Sequence, residues 1–129
     1  MSALTAKERI TALITAIKTS NEPNKEDDLR SVEELINDCG RYIEKVTAME
    51  AAIAATKFRM EPEEWREHIM TLDRNRKLAH DSLIVSVRVI NRFCRLYEVE
   101  RVYDGPEERI PIAEFAMVVT QDFFNERKL

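Results

Sequence analysis

The stretch PEEWREHIMTLDRNRKLAHDSLIVSVRVINRFCRLY, residues 62–97, decides the fold of this chain. Its proline stands at the very start, where an α-helix tolerates one, and no glycine or second proline follows. Its apolar residues recur mostly every three or four positions, which is the repeat of one helical face. They are Trp65, Ile69, Leu72, Ala79, Leu83, Val87, Ile90, Cys94 and Tyr97. The pattern predicts either one helix of about 36 residues or two helices broken near residues 71–73.

The segments before this stretch also have helical patterns. Thr5 and Glu8 have the spacing of a capping box, so a first helix is predicted over about residues 6–19. A polar break at residues 20–25 precedes a second long helix, which is predicted over about residues 26–57. The apolar positions of that second helix average close to one in every 3.5 residues. They are Leu29, Val32, Leu35, Ile36, Cys39, Ile43, Val46, Met49 and Ile53.

The sequence changes character after residue 97. Turn residues at positions 104–106 separate two short β-prone pieces within residues 99–112, which predicts a structured loop or a small two-stranded segment. Pro111 then favours the start of a last helix. Together these segments predict one all-α domain over residues 1–129, an antiparallel bundle of four or five helices of which two are long.

The two long helices exceed what a core of this size needs. A helix of 30 residues is about 45 Å long. The near-heptad repeat between Leu29 and Ile53 therefore has room to continue into a second chain. For this reason we expect a homodimer.

Composition and charge limit the classes of function. With two glycines among 129 residues, the chain lacks the material for a glycine-rich phosphate loop. A net charge of −4 disfavours general nucleic-acid binding. Cys39 and Cys94 lack the spacing of a zinc site, and no histidine or acidic spacing predicts a metal or a cofactor. Because the chain has neither a signal-peptide pattern nor a long apolar stretch, we expect a cytoplasmic protein that does not enter a membrane.

Four short stretches in the last two-thirds of the chain carry a resemblance. They are FRMEPEEWREHIM at residues 58–70, LDRNRKLAHDSL at residues 72–83, NRFCRLY at residues 91–97 and YDG at residues 103–105. In these stretches the chain resembles a family of short bacterial proteins of unknown function. The resemblance implies a bacterial, single-domain, mostly helical protein, and it brings no activity with it.

Asp73, Arg76 and His80 form the pattern that most resembles a chemical site. On a continuous helix these three residues share one side. An aspartate, an arginine and a histidine placed together can hold a phosphate or share a proton, since histidine titrates near neutral pH. The same three residues also suit a structural polar cluster, because an arginine on an apolar stripe needs an acidic partner or a route to solvent. The structural interpretation is favoured.

A narrower alternative depends on Arg74, Asn75 and His80. These residues are similar to the arginine–polar–histidine motif of the HEPN helical ribonucleases. The resemblance implies metal-independent RNA cleavage across a homodimer interface, with the arginine holding the scissile phosphate and the histidine assisting attack by the ribose 2′-hydroxyl. Arg74 and His80 are six positions apart, so an unbroken helix places them about 120° apart around its axis, too far to act together. Only a break near Asp73 would bring them to one side.

Residues 74–101 carry seven basic and three acidic side chains, a local positive excess inside an acidic chain. Four of the basic residues follow one side of the predicted helix, and no aromatic residue alternates with them; they are Lys77, Arg88, Arg92 and Arg95. Nucleic-acid binding is therefore possible but not favoured, because single strands usually stack on aromatic side chains. The leading prediction is a non-enzymatic interaction or regulatory module that binds a protein partner. The predicted binding surface comprises Asp73, Arg76, Lys77, Arg88, Arg92 and Arg95.

Overall fold

A computed structural model of the chain describes residues 4–56 and 60–127. Within these residues the protein is all-α, as predicted, and contains no strand. The two long helices occupy the middle of the chain, and a short 3₁₀ helix, Glu107–Arg109, precedes the last α-helix. The α-helices are α1 (Ala6–Thr19), α2 (Lys25–Thr56), α3 (Pro62–Leu96) and α4 (Ile112–Arg127). The predicted last residue of the second helix, Lys57, lies outside the described residues.

The helix ends follow from local sequence chemistry. The predicted capping box is confirmed, because the Thr5 hydroxyl accepts from the Glu8 amide and the Glu8 carboxylate accepts from the Thr5 amide, both at 3.1 Å. Pro62 occupies the first turn of α3, where its missing N–H leaves no hydrogen bond unmade. The helix then continues without a break to Leu96, so residues 71–73 are helical.

α2 and α3 run antiparallel to each other. The Tyr97 hydroxyl donates to Asp28, and the Ser86 hydroxyl donates to Asp38 at 3.2 Å. Nearer the end of α2, the ring of Tyr42 packs against the ring of His80. Residues 28, 38 and 42 thus contact residues 97, 86 and 80 in that order. Because one series rises while the other falls, the two helices point in opposite directions.

The hydrophobic core lies at one end of the long helices, which we call the four-helix end. There α1, the first half of α2, the second half of α3 and α4 pack together. Its fully buried side chains include Ile10, Leu13, Ile17, Val32, Leu35, Cys39, Leu83, Val87, Cys94 and Val119. The first half of the repeat between Leu29 and Ile53 is therefore used within the monomer. The homodimer expected from that repeat can rest only on its second half.

The other end of the long helices, residues 43–56 and 60–82, is here called the arm. None of the described side chains in it is buried. Helix length explains the contrast, since α1 and α4 are about 21 and 24 Å long whereas α2 and α3 are about 48 and 52 Å. The two short helices are too short to cover the full length of the two long ones. Among the described residues, the arm therefore consists of two helices without a further layer.

The segment between α3 and α4 is an irregular loop, and the two-stranded alternative does not form. Asn91, a buried side chain of α3, takes the place of a partner strand. Its amide oxygen accepts from Val102 N at 3.0 Å and Tyr103 N at 3.4 Å. Its amide nitrogen donates to Tyr103 O at 3.2 Å and to a carboxylate oxygen of Glu107 at 2.9 Å. One side chain thus satisfies four groups of the loop and fixes the loop on α3.

Candidate interaction surface

The predicted site residues Asp73, Arg76 and Lys77 form an ion-pair cluster within one turn of α3. Arg76 donates from Nε and Nη2 to one Asp73 oxygen at 3.1 and 2.8 Å, and Lys77 Nζ lies 3.3 Å from the other oxygen. The hydrogen bond from Arg76 lowers the pKa of the Asp73 carboxyl, and the same bond raises the pKa of Arg76. Arg76 has therefore found the acidic partner that its place on the apolar stripe requires.

His80 does not join that cluster. Its ring lies against Tyr42 of α2, with ring centroids 6.0 Å apart and planes tilted by 57°. Its Nδ1 lies 3.2 Å from a carboxylate oxygen of its neighbour, Asp81. The structure therefore brings Asp73 and Arg76 together but places His80 in a contact between the two long helices.

The residues of the HEPN-like alternative are also separated. Arg74 and Asn75 are exposed, whereas His80 is half-buried against Tyr42. Because α3 is continuous through Asp73, the six-residue spacing keeps Arg74 and His80 about 120° apart around the helix. The break on which the alternative depended is absent from α3, so one chain does not assemble the three residues into a site.

The remaining predicted binding residues follow the solvent side of α3. Arg88 donates to the carbonyl oxygen of Glu107 at 2.9 Å, which ties it to the loop. Arg92 and Arg95 are exposed, and within the described residues neither has a hydrogen bond or ion pair. These two guanidinium groups are available to bind an anionic partner.

The feature that sequence reasoning missed is an apolar row on this same outer side. It consists of four exposed side chains at intervals of seven, four and seven residues, and we call it the outer stripe. They are Leu78 (64% exposed), Val85 (59%), Val89 (37%) and Leu96 (56%). A helix places such a spacing on one narrow line, and here that line is opposite the buried face of Leu83 and Val87. The 7–4–7 spacing was the available signal, but the stronger core repeat of the same helix obscured it.

The two sides of the outer stripe differ: a groove that includes the acidic Glu34 borders one side, and arginines border the other. On one side a shallow groove between α2 and α3 is lined by Ser31, Glu34, Val85, Ser86, Val89 and Ile90. On the other side the helix carries Arg88 and Arg95, and Arg92 lies beside the stripe itself. From Leu78 to Leu96 the stripe extends about 27 Å, which equals five turns of helix.

The described residues offer little for other chemistry. No group of three or more histidine, cysteine or acidic side chains among them is placed to hold a metal ion. Within residues 4–56 and 60–127, none of the helices is both long and apolar enough to cross a membrane. The two cysteines are buried and unpaired, and burial raises the pKa of Cys39 to about 12 and that of Cys94 above its ordinary value. Both thiols are therefore protonated at neutral pH and poorly suited to act as nucleophiles.

Comparison with known proteins places the chain in a family without assigning an activity to it. No curated protein matches the chain, and the comparisons show no similarity to the HEPN ribonucleases. One family model matches residues 2–129, which is more of the chain than the last two-thirds in which the resemblance was seen. The chain therefore belongs to the family described as protein of unknown function (DUF3232).

Proposed function

We propose that this protein is a non-enzymatic interaction module of the bacterial cytoplasm that binds an acidic amphipathic helix of a partner protein along α3. The outer stripe is the observation that carries this proposal. Four large aliphatic side chains in one line are what a helix-binding surface provides. The two free, buried cysteines suit a reducing compartment.

The exposed apolar area gives the partner its binding energy. Burying apolar surface stabilises a complex by about 25 cal/mol for each Å². Leu78, Val85 and Leu96 are each more than half exposed, so all three have apolar surface left to bury. Single exposed apolar residues are common on proteins, but a regular row of them marks a contact site.

The charges beside the stripe define the chemistry of the partner. Arg92 and Arg95 are exposed beside the apolar row and lack a bonded acid among the described residues. A partner helix with acidic residues flanking its apolar face would meet both the stripe and these guanidinium groups. Such complementarity mainly accelerates association and selects the partner.

The test compares three forms of the protein as bait in the bacterium that encodes it. These are the wild type, Val85→Glu and the matched control Met117→Glu, whose methionine is 50% exposed on α4. We expect the wild type and Met117→Glu to retain the same protein and Val85→Glu to lose it. A synthetic peptide of that protein's acidic helix should then bind Val85→Glu at least about tenfold more weakly than the wild type.

Two results would overturn the proposed surface. One is retention of the same protein by Val85→Glu, because a glutamate in the middle of the stripe must disrupt an apolar contact with an acidic helix. The other is a retained protein whose binding segment carries no acidic amphipathic helix.

The non-enzymatic part of the proposal has its own test. Wild-type protein and His80→Ala are incubated with mixed-sequence RNA in the presence of EDTA, and cleavage is read on a gel. We expect no cleavage by either protein, because Arg74 and His80 lie on different sides of α3. Cleavage by the wild type alone would instead support the HEPN-type ribonuclease.

A further inference from the structure

The arm has apolar residues that its described neighbours bury only in part. Val46, Met49, Ile53, Ile69 and Leu72 are all only half-buried in it. The indole nitrogen of Trp65 is shielded from solvent and has no acceptor among the described residues. Because helices in proteins owe most of their stability to tertiary packing, two helices alone are a weak unit. These half-buried residues of α3 lie on the side that faces α2, and the outer side of α3 in the arm is a separate, exposed surface.

The outer side of α3 in the arm carries a regular charge pattern around Met70, which is 55% exposed. Glu63 and Glu67 precede this methionine by seven and three residues, and Arg74 and Lys77 follow it by four and seven. At 100° per residue all five lie within about 80° around the helix. The four charged side chains are exposed. This face of α3 is thus acidic on the N-terminal side of Met70 and basic on its C-terminal side.

We infer that the arm pairs antiparallel with the arm of a second copy of this chain, through α3 and with Met70 at the centre. In that arrangement Glu67 meets Arg74 of the second copy, and Glu63 meets Lys77 of the second copy. The two-fold symmetry repeats each pair, giving four attractive contacts around two methionines.

The same pattern excludes the opposite orientation. In a parallel pair each residue of the face meets its own copy, so Glu67 faces Glu67 and Arg74 faces Arg74. Like charges placed opposite each other are repulsive and select against that arrangement. Charge order along the arm therefore specifies both the occupant and its direction. This interface is centred on Met70 and shares only its edge with the outer stripe, since Leu78 follows Lys77 whereas Val85, Val89 and Leu96 lie beyond the arm.

The experiment uses charge reversal and mixing. Glu67→Lys and Arg74→Glu are made separately, because the structure shows no side-chain partner within the described residues for either position. Glu64→Lys is the matched control, since Glu64 is exposed one turn from Glu67 but about 120° around the helix from Met70. Sedimentation velocity measures self-association, and far-UV circular dichroism checks that each variant is folded.

We expect the wild type and Glu64→Lys to dimerise and each reversed variant to dimerise at least about tenfold more weakly. An equal mixture of Glu67→Lys and Arg74→Glu should regain dimers, because each reversed residue then meets its opposite charge. A wild type that stays monomeric at high concentration overturns the inference. A wild-type dimer that neither Glu67→Lys nor Arg74→Glu weakens also overturns the inference. A mixture of the two variants that does not form dimers overturns it as well.

Discussion

The two halves of α3 have the same apolar repeat and different surroundings. Between Leu83 and Cys94 the inner face is buried in the core of the four-helix end, to which the loop also contributes Val102 and Ile110. Between Trp65 and Leu72 the same repeat is only half-buried, because α1 and α4 do not extend so far. The difference teaches that a helical repeat identifies the face that turns inward, whereas the lengths of neighbouring helices decide how completely that face is covered.

The largest expected effect compares one leucine from each half. Leu83→Ala should lower the free energy of unfolding by about 3 kcal/mol, because it removes a fully buried side chain and leaves a cavity. Leu72→Ala should lower it by about 1 kcal/mol, because the leucine is half-exposed already. Urea unfolding monitored by circular dichroism measures both. Equal losses would show that the arm is covered as well as the four-helix end.

The next effect concerns the polar residue that fixes the loop to α3. Asn91→Ala should lower the free energy of unfolding by about 2 kcal/mol, because it leaves the amide of the buried Val102 without an acceptor. Its neighbour Arg92 is exposed, so Arg92→Ala is the control and should change stability by less than about 0.5 kcal/mol. The same urea titration tests both. A loss below about 0.5 kcal/mol for Asn91→Ala would mean that water replaces the asparagine.

The sequence predicted the helices well because helix signals are local. The capping box of Thr5 and Glu8 and the proline at the start of α3 act within a few residues. Asn91 could not be identified in this way, since its partners lie in a loop 11 to 16 residues later along the chain. Its function depends on where that loop folds back, which no local pattern states.

The candidate site was predicted only in part, for a related physical reason. The pairing of Asp73 with Arg76 follows from a spacing of three residues on a helix. The outer stripe was missed because the sequence pattern was used to find one core. Leu78 and Val85 lie outside that core. Rules for packing a single chain identify the residues of the core and do not single out a row of apolar residues that stays exposed.

A smaller effect appears at high pH and belongs to the four-helix end. Burial raises the pKa of Cys39 from 9.0 to about 12, so the folded chain holds this proton while the unfolded chain releases it. The resulting stability is complete below pH 9 and is lost as the pH rises from 9 towards 12. The slope should be about 1.4 kcal/mol per pH unit. Burial and the hydrogen bond to Asp28 also raise the pKa of Tyr97 to about 12, which adds to the loss above pH 10.

Urea titrations between pH 8 and pH 10.5 measure that loss, and Cys39→Ala is the informative variant. It should start less stable at pH 8, because a buried side chain is shortened, and then lose stability less steeply as the pH rises. A wild type and variant with parallel pH profiles would show that the Cys39 thiol ionises as easily in the folded protein as in the unfolded chain.

The smallest effect on stability is expected in the outer stripe, the surface that is proposed to bind the partner helix. Val85→Ser should change the free energy of unfolding by less than about 0.5 kcal/mol, because the valine is 59% exposed and has few contacts to lose. Val87→Ser, two residues away on the buried face, should cost several times more. Thermal and urea unfolding of the two variants compare the faces directly. If Val85→Ser destabilised the isolated monomer as much as Val87→Ser, the outer stripe would already be covered within the chain and would not be free to bind a partner.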